Sequence, residues 1–235
     1  MSRRPVDHPS LYMPLKELVR WVIMPTLTRT RIDGVENIPK RGPFLLLPNH
    51  QSVLDPLIVQ ASCPRTVHAM TKSTQFSKPF MRWLLPRVGA FPTRRYRVDA
   101  QAVRVTLREL GRGRGVAIYP EGERTWDGAM QPLRRGTVKL LLKSGVPIVP
   151  CGISGLYDVW PRWSKRPRRC PVVVRFGEAI EFGPHDDRTQ RDAAVPAATA
   201  TIESAIRGLI DSVDREEPDP ARGPVVGAEG AESWA

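Results

Sequence analysis

The chain has 235 residues, 36 Lys+Arg against 24 Asp+Glu, and 41% of its residues are hydrophobic. That length suits one domain with short appendages rather than two full domains, and the composition excludes wholesale disorder. The net charge of +12 directs the protein to something anionic, be it a nucleic acid, a membrane face or a phosphorylated ligand, without choosing among them.

The first segment, 1–30, reads as amphipathic. Between Pro14 and Pro25, residues Leu15, Leu18, Val19, Val22 and Ile23 recur at helical spacing, with Lys16, Glu17 and Arg20 opposite and Trp21 at the border. Two readings fit this pattern: a helix docked on its own domain, or one lying in a membrane interface. The segment lacks the apolar stretch of a signal peptide, and no run of about 18 apolar residues occurs to span a bilayer.

Phe44-Leu45-Leu46-Leu47 has the length of a buried strand, and Pro48 to Ser52 breaks it. Asp55-Pro56 opens a helix through Val59, Asp before Pro being a natural N-cap with Pro at the first helical position. Further strands are expected at Thr66–Met70, Val88–Phe91, Val116–Tyr119, Pro147–Pro150 and Val172–Phe176. Between them lie helices at Pro79–Leu85, Asp99–Leu110 and Thr137–Lys143, the last capped by Gly145, and a final helix spans Pro196–Val213. The alternation predicts a single α/β domain over 31–213, with a largely parallel central sheet flanked by helices.

From Asp211 onward seven acids face two Arg, a net of −5, so the first 210 residues carry +17. Proline, glycine and acid with no apolar periodicity predict a disordered acidic tail over 214–235. Cys63, Cys151 and Cys170 are odd in number and far apart, which fits neither a disulfide framework nor a zinc site but thiols in a reducing compartment.

Ligands of open α/β sheets bind beyond the carboxyl ends of the strands, and two such turns are rich in polar groups. In the first, Asn49 to Asp55, His50 directly follows a strand and Asp55 stands at the mouth of the next helix. A carboxylate there can accept the Nδ1 proton, fix the tautomer and raise the basicity of Nε2. The plainer alternative is a solvated loop histidine beside a helix-capping acid. Gly152-Ile153-Ser154-Gly155 falls one residue short of a nucleophile elbow, so no serine or cysteine nucleophile is evident and the base would act on a substrate hydroxyl. The second turn is Pro120-Glu121-Gly122-Glu123-Arg124.

With these residues in view, the chain resembles the glycerolipid acyltransferases, the family that includes 1-acyl-glycerol-3-phosphate acyltransferase. PNHQSVLDP resembles the family's NHxxxxD block, Gly89 to Arg95 its second block, Tyr119 to Arg124 its FPEGTR block and Val146 to Pro150 its VPIVP-type block. Two departures stand out: Glu123 replaces Thr in the third block, and Arg94 replaces the usual acid before the second-block Arg95.

The resemblance implies a glycerolipid acyltransferase fold and a base, His50, oriented by Asp55. That base would deprotonate an acceptor hydroxyl as it attacks the thioester of acyl-CoA or acyl-carrier protein, with no acyl-enzyme, metal or further cofactor. It implies that Arg95 and Arg124, supported by Lys72 and flanked by Arg94, hold the acceptor phosphate. Glu121 and Gly122 shape the loop. Pro147–Pro150 reads either as a pocket wall or as a plain core strand. The expected reaction is acylation of 1-acyl-glycerol-3-phosphate at its sn-2 hydroxyl, in phospholipid biosynthesis. Another lipid acceptor (a lyso-aminolipid, a glycolipid or another lysophospholipid) and an inactive basic membrane-binding module are the alternatives.

Gly111-Arg112-Gly113-Arg114-Gly115 lies between a helix and a strand, the reverse of a dinucleotide loop, and reads as a helix stop. Trp160 to Arg169 holds five basic residues and two Trp. Such a run suits nucleic acid, an anionic membrane face or simple solvation. Beside the acyltransferase blocks, membrane outranks nucleic acid, and the expectation is a peripheral enzyme on the cytoplasmic face of the cell membrane with no nucleic-acid partner.

Overall fold

The run Phe44-Leu45-Leu46-Leu47 has no polar face because both of its faces are covered. The computed structural model describes residues 10–94, 99–183, 185 and 187–216. Its strands are β1 (Thr28–Asp33), β2 (Phe44–Pro48), β3 (Val67–Lys72), β4 (Ala90–Thr93), β5 (Gly115–Ala117), β6 (Ile148–Ser154) and β7 (Cys170–Phe176). They form one seven-stranded sheet in the order β1-β7-β6-β2-β5-β3-β4, parallel at every pairing except β6 with β7. The α/β expectation holds.

The helices are α1 (Tyr12–Leu18), α2 (Met24–Leu27), α3 (Asp55–Ser62), α4 (Pro79–Arg87), α5 (Ala100–Gly111), α6 (Arg135–Ser144), α7 (Leu156–Val159) and α8 (Arg188–Glu216). Period-two alternation sorts β2 between two cores. Phe44 and Leu46 meet Val19 and Met24 of the N-terminal helix and Ile58 and Val59 of α3. Leu45 and Leu47 meet Val105 of α5, Val138 and Leu141 of α6, and Ile202 and Ile206 of α8. Each such side chain is worth about 1.5–3 kcal/mol when fully buried, so the central strand is held from both sides.

The structure corrects several expectations. β1 was not foreseen, because Thr-Arg-Thr-Arg-Ile-Asp alternates instead of forming an apolar run, and it sits at the sheet edge with Arg29 and Arg31 on its more open face. It runs across residue 30, and α8 runs on past residue 213. Pro196 lies inside α8 rather than at its start, since Val195, Ala198 and Ile202 are packed on the second core and carry the helix through. β6 extends four residues beyond Pro150, and β5 stops at Ala117. The tail beyond Glu216 lies outside the described residues.

At the N-terminus both prolines are helical rather than bounding. A π turn, Val19–Ile23, joins α1 to α2, with the Met24 amide donating to the Val19 carbonyl. That wider turn precedes Pro25, which has no N–H to give and whose ring crowds the preceding carbonyls. The inward face is also different from the expected one. Lys16, assigned to the polar side, is 8% exposed and its Nζ donates to the Cys63 carbonyl at 2.6 Å, while Leu18 and Val22 face outward with Trp21. Burial pulls the Lys16 pKa below its ordinary value. Among the described residues no helix is long and apolar enough to cross a membrane.

Topology fixes which ends meet. Because β7 runs back along β6 and β1 is parallel to β7, Thr28 is paired with Cys170 at the edge where β6 ends. The N-terminal helix therefore finishes at the same edge as the carboxyl ends of β6, β2, β5, β3 and β4. At its other end, the Leu11 amide donates to the Arg87 carbonyl of α4 at 3.0 Å.

Candidate active site

The loop that follows β2 is tied down at nearly every residue. Asn49 bridges to β6 in both directions: its Nδ2 donates to the Ile153 carbonyl at 3.0 Å and its Oδ1 accepts from the Ile153 amide at 2.7 Å. The Ser52 hydroxyl donates to the Trp160 carbonyl at 2.8 Å, and the Thr125 amide donates to the His50 carbonyl at 2.8 Å. A loop bonded this way to a strand and to two neighbouring loops holds its side chains as firmly as the sheet does.

Asp55 is fully buried, and Oδ2 takes three hydrogen bonds: His50 Nδ1 at 2.6 Å, the Gln51 amide at 2.6 Å and the Ser52 amide at 2.8 Å. This departs from the capping role expected of it. Leu54 occupies the cap of α3 without a side-chain bond, and the Asp55 carboxylate folds back over the turn that precedes the helix. An ionised acceptor at Nδ1 puts the neutral ring's proton there and leaves Nε2 as the basic nitrogen. The Tyr119 ring lies against the imidazole, with centroids 4.2 Å apart and planes tilted by 32°. His50 is thus held by a carboxylate at one nitrogen and by an aromatic face.

β5 is parallel to β2 and adjacent to it, so the Pro120 to Arg124 turn emerges beside the histidine loop. Glu121 is buried, and its two oxygens accept from the His50 amide at 2.6 Å and the Gln131 amide at 2.7 Å. Burial raises the Glu121 pKa from 4.5 to about 7, the two amide bonds opposing that rise. The folded chain then binds more protons at this group than the unfolded chain between pH 4.5 and about 7. The stability it contributes is present below that window and lost as pH rises through 7, by about 3 kcal/mol. The difference in Tm between wild type and Glu121→Gln should therefore move against wild type as pH rises across the window and level off on either side. A difference that stays constant with pH in thermal melts would put Glu121 back in the ordinary carboxylate range.

Gly122 has φ 77°, and a Cβ there would meet Arg134 Nε at 2.3 Å, so the turn takes glycine alone. Arg134 crosses that space to donate from Nε to the Glu121 carbonyl at 3.0 Å and from a terminal nitrogen to Glu123 Oε1 at 2.9 Å. Arg124 stands in the same turn, its pKa held below the usual range by burial and then by the neighbouring Arg162. A cleft of about 310 Å3 beside the turn is lined by Glu121, Glu123, Trp126, Gln131, Pro132 and Arg134.

The structure thus brings together His50, Asp55, Glu121, Gly122 and Arg124. Lys72 ends β3 and Arg94 follows β4, on the same edge as the histidine loop but farther along the sheet, with Lys72 paired in register with Thr93. Arg95 lies outside the described residues. Sequence reasoning missed Arg134, Gln131, Trp126 and the part Arg162 takes in the site. Only the topology marks Arg162, which lies past α7 in the connection that leaves the carboxyl end of β6 on this same edge.

Residues 29–154 match the Acyltransferase family model, and the chain belongs to that family. It is 32% identical over 123 residues to the 1-acyl-sn-glycerol-3-phosphate acyltransferase of Borreliella burgdorferi, covering 51% of this chain and 48% of that one. Similarity to the Bacillus subtilis enzyme of the same name is 26% over 135 residues, covering 57% and 67%. A chloroplastic 1-acyl-sn-glycerol-3-phosphate acyltransferase of Brassica napus is 29% identical over 140 residues, 58% of this chain and 40% of the relative. The chain spans about half the length of the curated relatives it matches. Among solved structures, the crystal structure of the 1-acyl-sn-glycerophosphate acyltransferase from Thermotoga maritima has the same fold, with a TM-score of 0.71, 20% identity and coverage of 91% of this chain and 81% of that one.

Proposed function

We propose that the protein transfers a fatty acyl group from acyl-CoA or acyl-carrier protein to the sn-2 hydroxyl of 1-acyl-glycerol-3-phosphate. The observation that carries this reading is the Asp55–His50 pair at 2.6 Å, which leaves Nε2 basic beside a turn bearing Arg124. His50 Nε2 takes the hydroxyl proton as the oxygen attacks the thioester carbonyl. Collapse of the adduct breaks the C–S bond, and the imidazolium returns the proton to the departing thiolate. Asp55 stabilises the imidazolium without itself taking the proton. No cofactor beyond the acyl donor enters this scheme. Glu123 does not recommend a cationic acceptor, because its carboxylate is already engaged by Arg134.

The protein works as a peripheral enzyme on an anionic bilayer, at the cytoplasmic face. Supporting this are the outward Met13, Leu18, Trp21 and Val22 of the N-terminal helix and the outward Phe80 and Trp83 of α4. Cations accompany them: the Arg20 guanidinium lies 5.9 Å from the Trp21 ring and that of Arg87 4.6 Å from the Trp83 ring. Apolar rings among cations suit the lipid interface, where each cation near anionic lipid is worth about 1 kcal/mol.

One experiment tests both statements. Vesicles of phosphatidylglycerol and phosphatidylcholine would each be loaded with 1-acyl-glycerol-3-phosphate, lysophosphatidylcholine or monoacylglycerol and given one labelled acyl donor. The expected result is transfer fastest to 1-acyl-glycerol-3-phosphate, with the protein pelleting with the anionic vesicles. Equal or faster transfer to the other acceptors would overturn the substrate, and protein left in the supernatant would overturn the membrane reading.

A further inference from the structure

The loop between β6 and β7 crosses the top of the sheet and reaches the turn that carries Arg124. Arg162 of this loop donates to the Arg124 carbonyl at 3.4 Å and lies 3.9 Å from Glu123 Oε2. Its guanidinium stacks on the Trp126 ring at 3.6 Å from the centroid. Trp126 is held in turn, its carbonyl accepting from the Tyr157 hydroxyl at 2.9 Å, and that hydroxyl accepting from Trp163 Nε1 at 3.2 Å. The Tyr157 amide is bonded to Gln51 Oε1 at 3.3 Å, next to the catalytic histidine. A planar cation stacked on an aromatic face and fixed by a carbonyl is placed, not merely solvated.

The charge balance gives this placement a purpose. Arg134 and Arg162 flank the carboxylate of Glu123, and Arg124, its neighbour in the chain, lies close enough to Arg162 for the two guanidiniums to repel, with the buried Asp55 only partly offsetting that repulsion. Among the described residues no carboxylate lies within ion-pair distance of Arg124. Like charges drawn together in partly desolvated surroundings are unfavourable until an anion joins them. A phosphate monoester brings about 1.5–2 negative charges and three acceptor oxygens, enough to engage two guanidiniums at once, whereas a phosphodiester brings one charge and an uncharged headgroup none.

We propose that Arg162 is a second guanidinium of the acceptor site, forming with Arg124 a two-arginine clamp on the phosphate monoester, and that this clamp sets the preference for a monoester over a diester or an uncharged headgroup. The inference rests on the acyltransferase reading above. It also gives the Glu123 departure a role: with Arg134 and Arg162 on either side, this acid aims Arg162 at the site instead of opposing the phosphate.

The test is steady-state kinetics of wild type, Arg162→Gln and Arg162→Lys on 1-acyl-glycerol-3-phosphate and on a monoacylglycerol of the same chain. Arg162→Gln should lower kcat/KM for the phosphorylated acceptor about 10–100-fold, carried by KM, and for the monoacylglycerol at most a few-fold. Arg162→Lys should recover part of the loss, keeping the charge but not the fork or the stacking. An unchanged KM, or an equal loss on both acceptors, would overturn the clamp and leave Arg162 a prop for the loop. Should the variants lose activity altogether, glycerol 3-phosphate binding decides: it should raise the Tm of wild type and not that of folded Arg162→Gln, and an equal rise in both would overturn the inference. Wild type that ignores the phosphorylated acceptor would instead strike the acyltransferase reading itself, a different result from any of these.

Discussion

Replacing His50 by Ala should lower acyl transfer about 10²–10⁴-fold, the range that a positioned general base contributes, and leave the protein folded. The second half follows from how the loop is built. The His50 amide is bonded to Glu121 and its carbonyl to Thr125, and an alanine keeps both. What is lost is the imidazole against Tyr119 and one of three donors to Asp55. Turnover at the wild-type rate in the variant would remove His50 from the chemistry. A collapse of the thermal transition would mean that the ring is chiefly structural.

The second large effect is at Asp55, where two substitutions separate chemistry from architecture. Asp55→Asn keeps an oxygen for the three donors that converge on Oδ2 but removes the charge that balances an imidazolium. It should cost about 10³–10⁴-fold in kcat, as loss of the orienting carboxylate does in hydrolase triads, with little change in stability. Asp55→Ala leaves the Gln51 and Ser52 amides and the His50 ring N–H without an acceptor in a buried place. Each such donor costs about 1–3 kcal/mol, so this variant should be both inactive and clearly less stable. Equal Tm values for the two variants would show that the carboxylate does not organise the loop. Activity retained by the asparagine variant would show that it does not assist the base.

How much of this was written in the sequence depends on what kind of signal each part leaves. The central strand announced itself, because a strand covered on both faces needs an unbroken apolar run and Phe44 to Leu47 supplies one. β1 did not, since an edge strand alternates and its arginines resemble a solvated loop. The pair His50 and Asp55 was legible from its spacing at the end of a strand, but the bond of Asp55 to three donors was not, and an acid before a proline looks the same whether it caps a helix or folds back. Lys16 misled because its charge marks an outward face, while its long stem crosses apolar surface and delivers the ammonium to a single carbonyl. The contributions of Arg134, Gln131 and Arg162 depend on contacts between separate loops, which no local pattern records.

The reversal at β7 carries a consequence for how such an enzyme diversifies. Since the chain must turn back after β6, the stretch from residue 155 to 169 has to pass over the edge that carries the histidine loop, yet from Arg162 onward it adds little to either core. The proton-moving pair belongs to another loop, bonded to the sheet. On the proposed reaction, and because residues 157 and 160 tie the start of this stretch to the histidine loop, headgroup choice can drift in the part beyond them while the proton-moving pair is kept, so a lineage could change its acceptor without rebuilding its chemistry.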